Sequence, residues 1–148
     1  MAKSGYRPKH FKLQELVAPD VYAAYEKRPD YLWRLLDESV LEALDIIREH
    51  YMQPVTVNNW HVGGNRKESG LRNPFTNTGA VLSAHKFGRA ADLQVQGVPS
   101  DIVQSDIKRG KLPMRFYELI NCVEKDTDGW THIARLNYVT DGIVWVKP

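Results

Sequence analysis

The sequence predicts an α+β domain, with helices in its first third packed on a small, mainly antiparallel sheet built by the remainder. Three observations carry that reading. Val40, Leu41, Leu44, Ile47 and Tyr51 recur at three- and four-residue steps, the period of one apolar helix face. After Pro54, short β-branched or alternating runs recur at 55–60, 93–96, 115–123, 130–136 and 143–146. At 148 residues and 43% hydrophobic, the chain suits one domain with one core.

Residues 1–10, with Lys3, Arg7 and Lys9, read as a flexible basic arm, which leaves 11–148 as the single domain. Phe11 to Val17 is a short helical stretch that Pro19 ends, because proline disfavours helix in the residue before it. Val21 to Tyr25 adds another turn, and the apolar, aromatic run Tyr31 to Leu36 reads as packing. The main helix spans Glu38 to Tyr51, with Asp37 as its N-cap. Its charged residues Glu38, Glu42, Asp45, Arg48 and Glu49 lie mostly off the apolar face and read as solvated. Val55 to Trp60 follows as a strand.

From His61 to Leu82 the hydrophobic period vanishes and turn signals take over: Gly63-Gly64-Asn65, Ser69-Gly70, Asn73-Pro74 and Asn77-Thr78-Gly79. Loops of about 20 residues inside a compact domain are usually functional or disordered. This one leads into His85, which favours function. Beyond it, Leu93 to Gln96 reads as a strand and Gly97 to Pro99 as a turn. Ser100 caps a helix from Asp101 to Arg109 that Gly110 closes. Arg115 to Val123 reads as a strand, Lys125 to Gly129 as a turn, Trp130 to Leu136 as the returning strand, and Ile143 to Val146 as the last.

Composition excludes several function classes. A net charge of +2 makes no case for nucleic acid, which calls for a basic patch. No apolar run approaches the roughly 18 residues of a membrane span. The basic start has no apolar segment behind it, so a signal peptide is not expected and synthesis in the cytoplasm is. The single cysteine, Cys122, excludes an internal disulfide and a cysteine-built zinc site, and reads as buried filler.

The informative stretch is Ser83-Ala84-His85-Lys86-Phe87-Gly88-Arg89-Ala90-Ala91-Asp92. Gly88, Ala90 and Ala91 have little or no side chain, so the chain can bring His85 and Asp92 to one spot. A second imidazole, His132, follows Trp130 by two residues, which puts both on one side of a strand. Trp130 is then either core or the wall of a pocket. Two imidazoles and a carboxylate make three ligands, and a catalytic zinc takes three protein ligands and keeps a fourth position for water. Taken singly, His85 and His132 are ordinary core or surface histidines and Asp92 an ordinary turn residue. Arg66 and Arg72, in the preceding loop, either reach an anionic substrate group or are solvated.

The pattern Ser83-x-His85-x-x-Gly88-x-Ala90-x-Asp92, followed by Trp130-x-His132, resembles the signature of the zinc D-Ala-D-Ala carboxypeptidase and L-alanyl-D-glutamate peptidase family. That family shares its fold with the hedgehog signalling domain and includes many phage endolysins. The resemblance runs from about Val55 to Ile133 and also touches Asn58-Asn59-Trp60-His61 and Gly70-Leu71-Arg72. It implies a hedgehog/DD-peptidase-like fold and one Zn2+ held by His85, Asp92 and His132. It also implies hydrolysis of an amide bond in bacterial peptidoglycan stem peptides. Arg72 takes the place of the cationic side chain that holds a substrate carboxylate, with Ser83 and Trp130 as further substrate contacts. A monomer is expected, acting on the cell wall after release, as a lysin or as part of a virion.

One position departs from the family pattern. Many members carry glutamate three residues before the final histidine, where this chain has Gly129. Members with Trp-x-His often place the acid on the preceding strand. Glu124 fits that arrangement best, with Asp126 and Asp128 as alternatives. If no acid reaches the metal, the alternative function is a non-catalytic zinc-binding structural or wall-binding phage protein of the same fold.

Overall fold

A computed structural model describes residues 5–148. The chain opens with a 3-10 turn at Leu13–Glu15, then forms α1 (Pro19–Tyr25), α2 (Pro29–Leu35) and α3 (Glu38–Tyr51). Pro19 and Pro29 each stand at the start of a helix, where the missing N–H costs nothing. The expected helical stretch Phe11 to Val17 is only the turn Leu13–Glu15; Val17 is in a bridge with Leu71, and Pro19 starts α1 rather than ending that stretch. Asp37 caps α3 by accepting from the Ser39 N–H at 2.8 Å. Val40, Leu41, Leu44 and Ile47 are buried as their period requires.

Asp45 departs from its expected place on a solvated face. It is 3% exposed and accepts from Tyr6 Oη and from the Lys9 and His10 N–H groups. The described part of the basic arm, Gly5 to His10, is therefore tethered to α3, with Arg7 also bonded to Asp30. The first four residues of that arm lie outside the described residues.

The strands are β1 (Val55–Thr56), β2 (Ala90–Val95), β3 (Cys122–Glu124), β4 (Thr131–Ala134) and β5 (Val144–Val146). They form one open sheet in the order β1-β2-β4-β3-β5. Three pairings are antiparallel and the last, β3 with β5, is parallel, so the α+β expectation holds and the sheet is mixed. Ala91, Leu93, Val95, Val123 and Ile133 turn into the main core with the helices. On the opposite face Ala90, Cys122 and Ala134 form a second, small cluster. Alternation along the strands fixes this division.

Three local expectations need correction. Arg115–Val123 is not one strand: Met114–Leu119 is a helix, α5, and only Cys122–Glu124 pairs in the sheet. Phe116 and Leu119, three apart, are its buried side, and the extended cap residue Ile120 is buried beside them. The strand after Pro54 stops at Thr56, and Trp60–Val62 is a 3-10 turn. Helix α4 runs from Ser100 to Lys108, with Pro99 at the cap position. The Ser100 hydroxyl instead accepts from the Gly129 N–H at 3.2 Å, tying α4 to the β3–β4 turn. Among the described residues no helix is long and apolar enough to cross a membrane.

Candidate metal centre

The long segment between Val62 and Ala84 holds no regular element, yet its middle is fixed in place. Leu71 forms a parallel bridge with Val17, with Leu71 N–H on the Leu16 carbonyl and Ala18 N–H on the Leu71 carbonyl. Asn58 clamps it further, donating to the Val17 carbonyl and accepting from the Ser69 N–H. Gly70, Leu71 and Arg72 are buried. A side chain at Gly70 would collide with the Leu16 carbonyl, so glycine is what allows the close approach. This backbone supplies the partners that orient the site.

His85 lies in a 3-10 turn, Ala84–Phe87, capped by Ser83, whose Oγ accepts from the His85 N–H at 3.3 Å. The turn ends at Gly88 in the left-handed region, φ 69°. From there the chain enters β2, and Asp92 is its third residue. In the sheet register Asp92 stands opposite His132 of β4. One step beyond the Val123–Ile133 pair of the β3–β4 ladder, Glu124 stands opposite His132 from the other side. Asp92, His132 and Glu124 therefore form a row across three strands, on the face floored by Ala90, Cys122 and Ala134.

The distances are short. His132 Nδ1 lies 2.8 Å from Asp92 Oδ1, and His85 Nε2 lies 3.2 Å from Asp92 Oδ2. Ligand atoms of His85, Asp92 and His132 all fall within 4.8 Å of one another. The imidazoles meet edge to face, 5.1 Å between centroids. Glu124 Oε2 is 4.0 Å from His132 Nδ1. Side-chain exposure is 3% for His85, 10% for His132, 14% for Asp92 and 22% for Glu124, so the cluster opens towards Glu124. Burial on its own would raise the Asp92 carboxyl, but the hydrogen bond from His132 and the positive charge that either adjoining imidazole carries when protonated outweigh it and hold it well below the usual carboxylate range.

The His85 ring tests whether these residues suit a metal. Its Nδ1 lies 3.0 Å from the Gly70 carbonyl, which can only accept, so Nδ1 carries the proton. In the neutral ring Nε2 is then a bare lone pair. It is buried, makes no hydrogen bond, and faces a carboxylate oxygen. Two acceptors in that position call for a positive charge between them, which a proton or a metal ion supplies. The Nδ1 contact to a backbone carbonyl is the usual outer support of a metal-bound histidine. Two nitrogens and one carboxylate oxygen are a donor set suited to zinc. The buried His85–Asp92–His132 cluster is thus geometrically fit to hold a metal ion.

The other expected site residues are distributed around this core. Arg72 is buried and its Nη2 lies 3.3 Å from Asp92 Oδ2. Arg66 is half-buried, with Nη2 2.9 Å from the Asp92 backbone carbonyl and Nε 2.8 Å from that of Val57. Burial lowers its guanidinium pKa and the Asp92 charge opposes that. Ser83 caps the His85 turn. Trp130, two residues ahead of His132, is half-buried, and its carbonyl accepts from Thr127 Oγ1 and Gln104 Nε2. Asp126 and Asp128 are exposed and line a groove against α4 that none of the three metal-competent residues borders.

The Cys122 thiol lies on the floor cluster, and burial followed by the Glu124 charge pushes its pKa up, which disarms it as a nucleophile. Arg66 is the residue whose place the sequence did not disclose. Its one signal was an arginine inside a turn-rich loop. Comparison with family models, curated proteins and solved structures gave no significant match to the chain.

Proposed function

We propose that the chain is a zinc-dependent peptidase that hydrolyses an amide bond in peptidoglycan stem peptides, on a fold of the hedgehog/DD-peptidase type. The observation that carries the reading is Glu124. A free carboxylate stands at the open edge of a metal-competent cluster, 4.0 Å from His132 Nδ1. A zinc ion held by His85, Asp92 and His132 would supply a bound water of pKa about 7 and polarise the scissile carbonyl. In this reading Glu124 would take the proton from that water and return it to the leaving amine. The Gly70 carbonyl fixes the His85 tautomer, and Arg72 with Arg66 fixes Asp92, so neither ligand has to reorganise during turnover.

The test is digestion of purified peptidoglycan and short stem peptides, with mass spectrometry of the products. Wild type should cleave, zinc-stripped protein should not, and added zinc should restore cleavage. Glu124→Ala should lower kcat roughly 10²–10⁴-fold, the usual contribution of a general base, while keeping its zinc. Full activity in Glu124→Ala would rule out Glu124 as the base, and Asp126 and Asp128, on the groove away from the cluster, would not replace it without movement of the β3–β4 turn. A wild type that binds zinc yet cleaves no wall type would make the chain a non-catalytic zinc module.

A further inference from the structure

We propose that Arg72 is a positioning residue of the metal centre: it holds the Asp92 carboxylate for the metal and does not reach out to a substrate anion. The inference rests on the metal-site reading above and deepens it. Arg72 is 8% exposed. Its three nitrogens are each engaged: Nε with the Glu68 carbonyl, Nη1 with the Thr78 carbonyl at 3.4 Å, and Nη2 with Asp92 Oδ2 at 3.3 Å. A substrate carboxylate is best bound by two parallel N–H groups of one guanidinium edge. Each nitrogen of this one already has a protein acceptor, and the group is buried, so no pair of its N–H groups is turned out to solvent for a substrate anion.

The loop backbone seals the other side. A Cβ on Gly79 would lie 2.6 Å from Arg72 Nη1, so the chain packs directly on the guanidinium. Arg66 complements this by holding the Asp92 main chain at its carbonyl. Asp92 is thus gripped at both ends by two arginines from the same loop. The position of residues 73–79 is transmitted to a metal ligand through Arg72.

The test reads metal, not peptide cleavage. Zinc affinity is measured by competition with a chromophoric chelator for wild type, Arg72→Met and Arg72→Lys. The visible absorption of the cobalt(II)-loaded proteins reports ligand geometry. Loss of an outer-shell partner typically weakens metal binding 10–100-fold, and about that loss is expected for Arg72→Met, with displaced cobalt bands. Lysine keeps the charge but cannot reach three acceptors at once, so Arg72→Lys should show a smaller loss and a shifted spectrum.

Wild-type zinc affinity with unshifted bands in either folded variant overturns the proposal. So does tighter binding, which would mean that Arg72 competes with the metal for Asp92. If Arg72→Met does not fold, as judged by far-UV circular dichroism, Arg72→Lys decides alone. A wild type that takes up no zinc would remove the metal-site reading and this inference together. Variants that lose nothing while wild type binds zinc would remove this inference alone.

Discussion

Asp92 accepts from His132 and Arg72 and faces His85, four side chains drawn from a loop, a 3-10 turn and two strands. Because its folded pKa lies below the ordinary value of 3.8, the ionised form is favoured by folding. That stability is fully present above the ordinary carboxylate range and is lost as pH falls through the folded pKa. In metal-free protein, Tm should therefore fall steeply from about pH 5 downward, and Asp92→Asn should flatten that acid limb. Superimposable acid limbs would show that the carboxylate is not coupled to its neighbours. His85, Asp92 and His132 were legible in the sequence because together they resemble a family signature; singly, residue type and spacing left them ordinary. The burial of Arg72 and Asp45 was not. Those follow from partners 20 and 35 to 39 residues away, which no local period records.

Gly88 joins two elements. Its carbonyl accepts from the Asp37 N–H at the start of α3, and its left-handed backbone turns the chain from the His85 turn into β2. A side chain there would run into the Leu35 carbonyl. Gly88→Ala should cost more than ~2 kcal/mol in urea unfolding, combining the left-handed penalty with backbone displacement. A loss below about 0.5 kcal/mol would mean the joint is slack. The elements themselves divide by how local their signals are. Helix α3 was readable with its cap, because its apolar period spans four turns. Helix α5 was not: six residues rich in aromatic and branched side chains satisfy a strand pattern as well as a helical one. Likewise Asn58 and Trp60 continue an alternating pattern, but their polar groups turn to the Val17 carbonyl.

Across the whole molecule, the N-terminal segment, α3 and the sheet form one connected body. Tyr6, Lys9 and His10 converge on Asp45, on the same helix whose apolar face packs under β1 and β2. Asp45→Ala would leave two N–H donors and a tyrosine hydroxyl without their charged acceptor. A loss of about 2–4 kcal/mol is expected, since hydrogen bonds to charged groups are the strong ones. Chemical denaturation followed by tryptophan fluorescence measures it, and an unchanged midpoint would mean that residues 5–10 contribute nothing to the fold. The overall class was legible because three helices precede the first strand and the strands after it pair mostly antiparallel. The order β1-β2-β4-β3-β5 was not, since strand neighbours are chosen by contacts between segments far apart in the chain.

Whether His85, Asp92 and His132 hold one metal ion between them is tested most directly by native mass spectrometry of zinc-reconstituted protein. The expected result is one zinc per wild-type chain and none in a folded His132→Ala variant. A wild type that returns no zinc, or a variant that binds it as fully as wild type, would contradict the account at its centre.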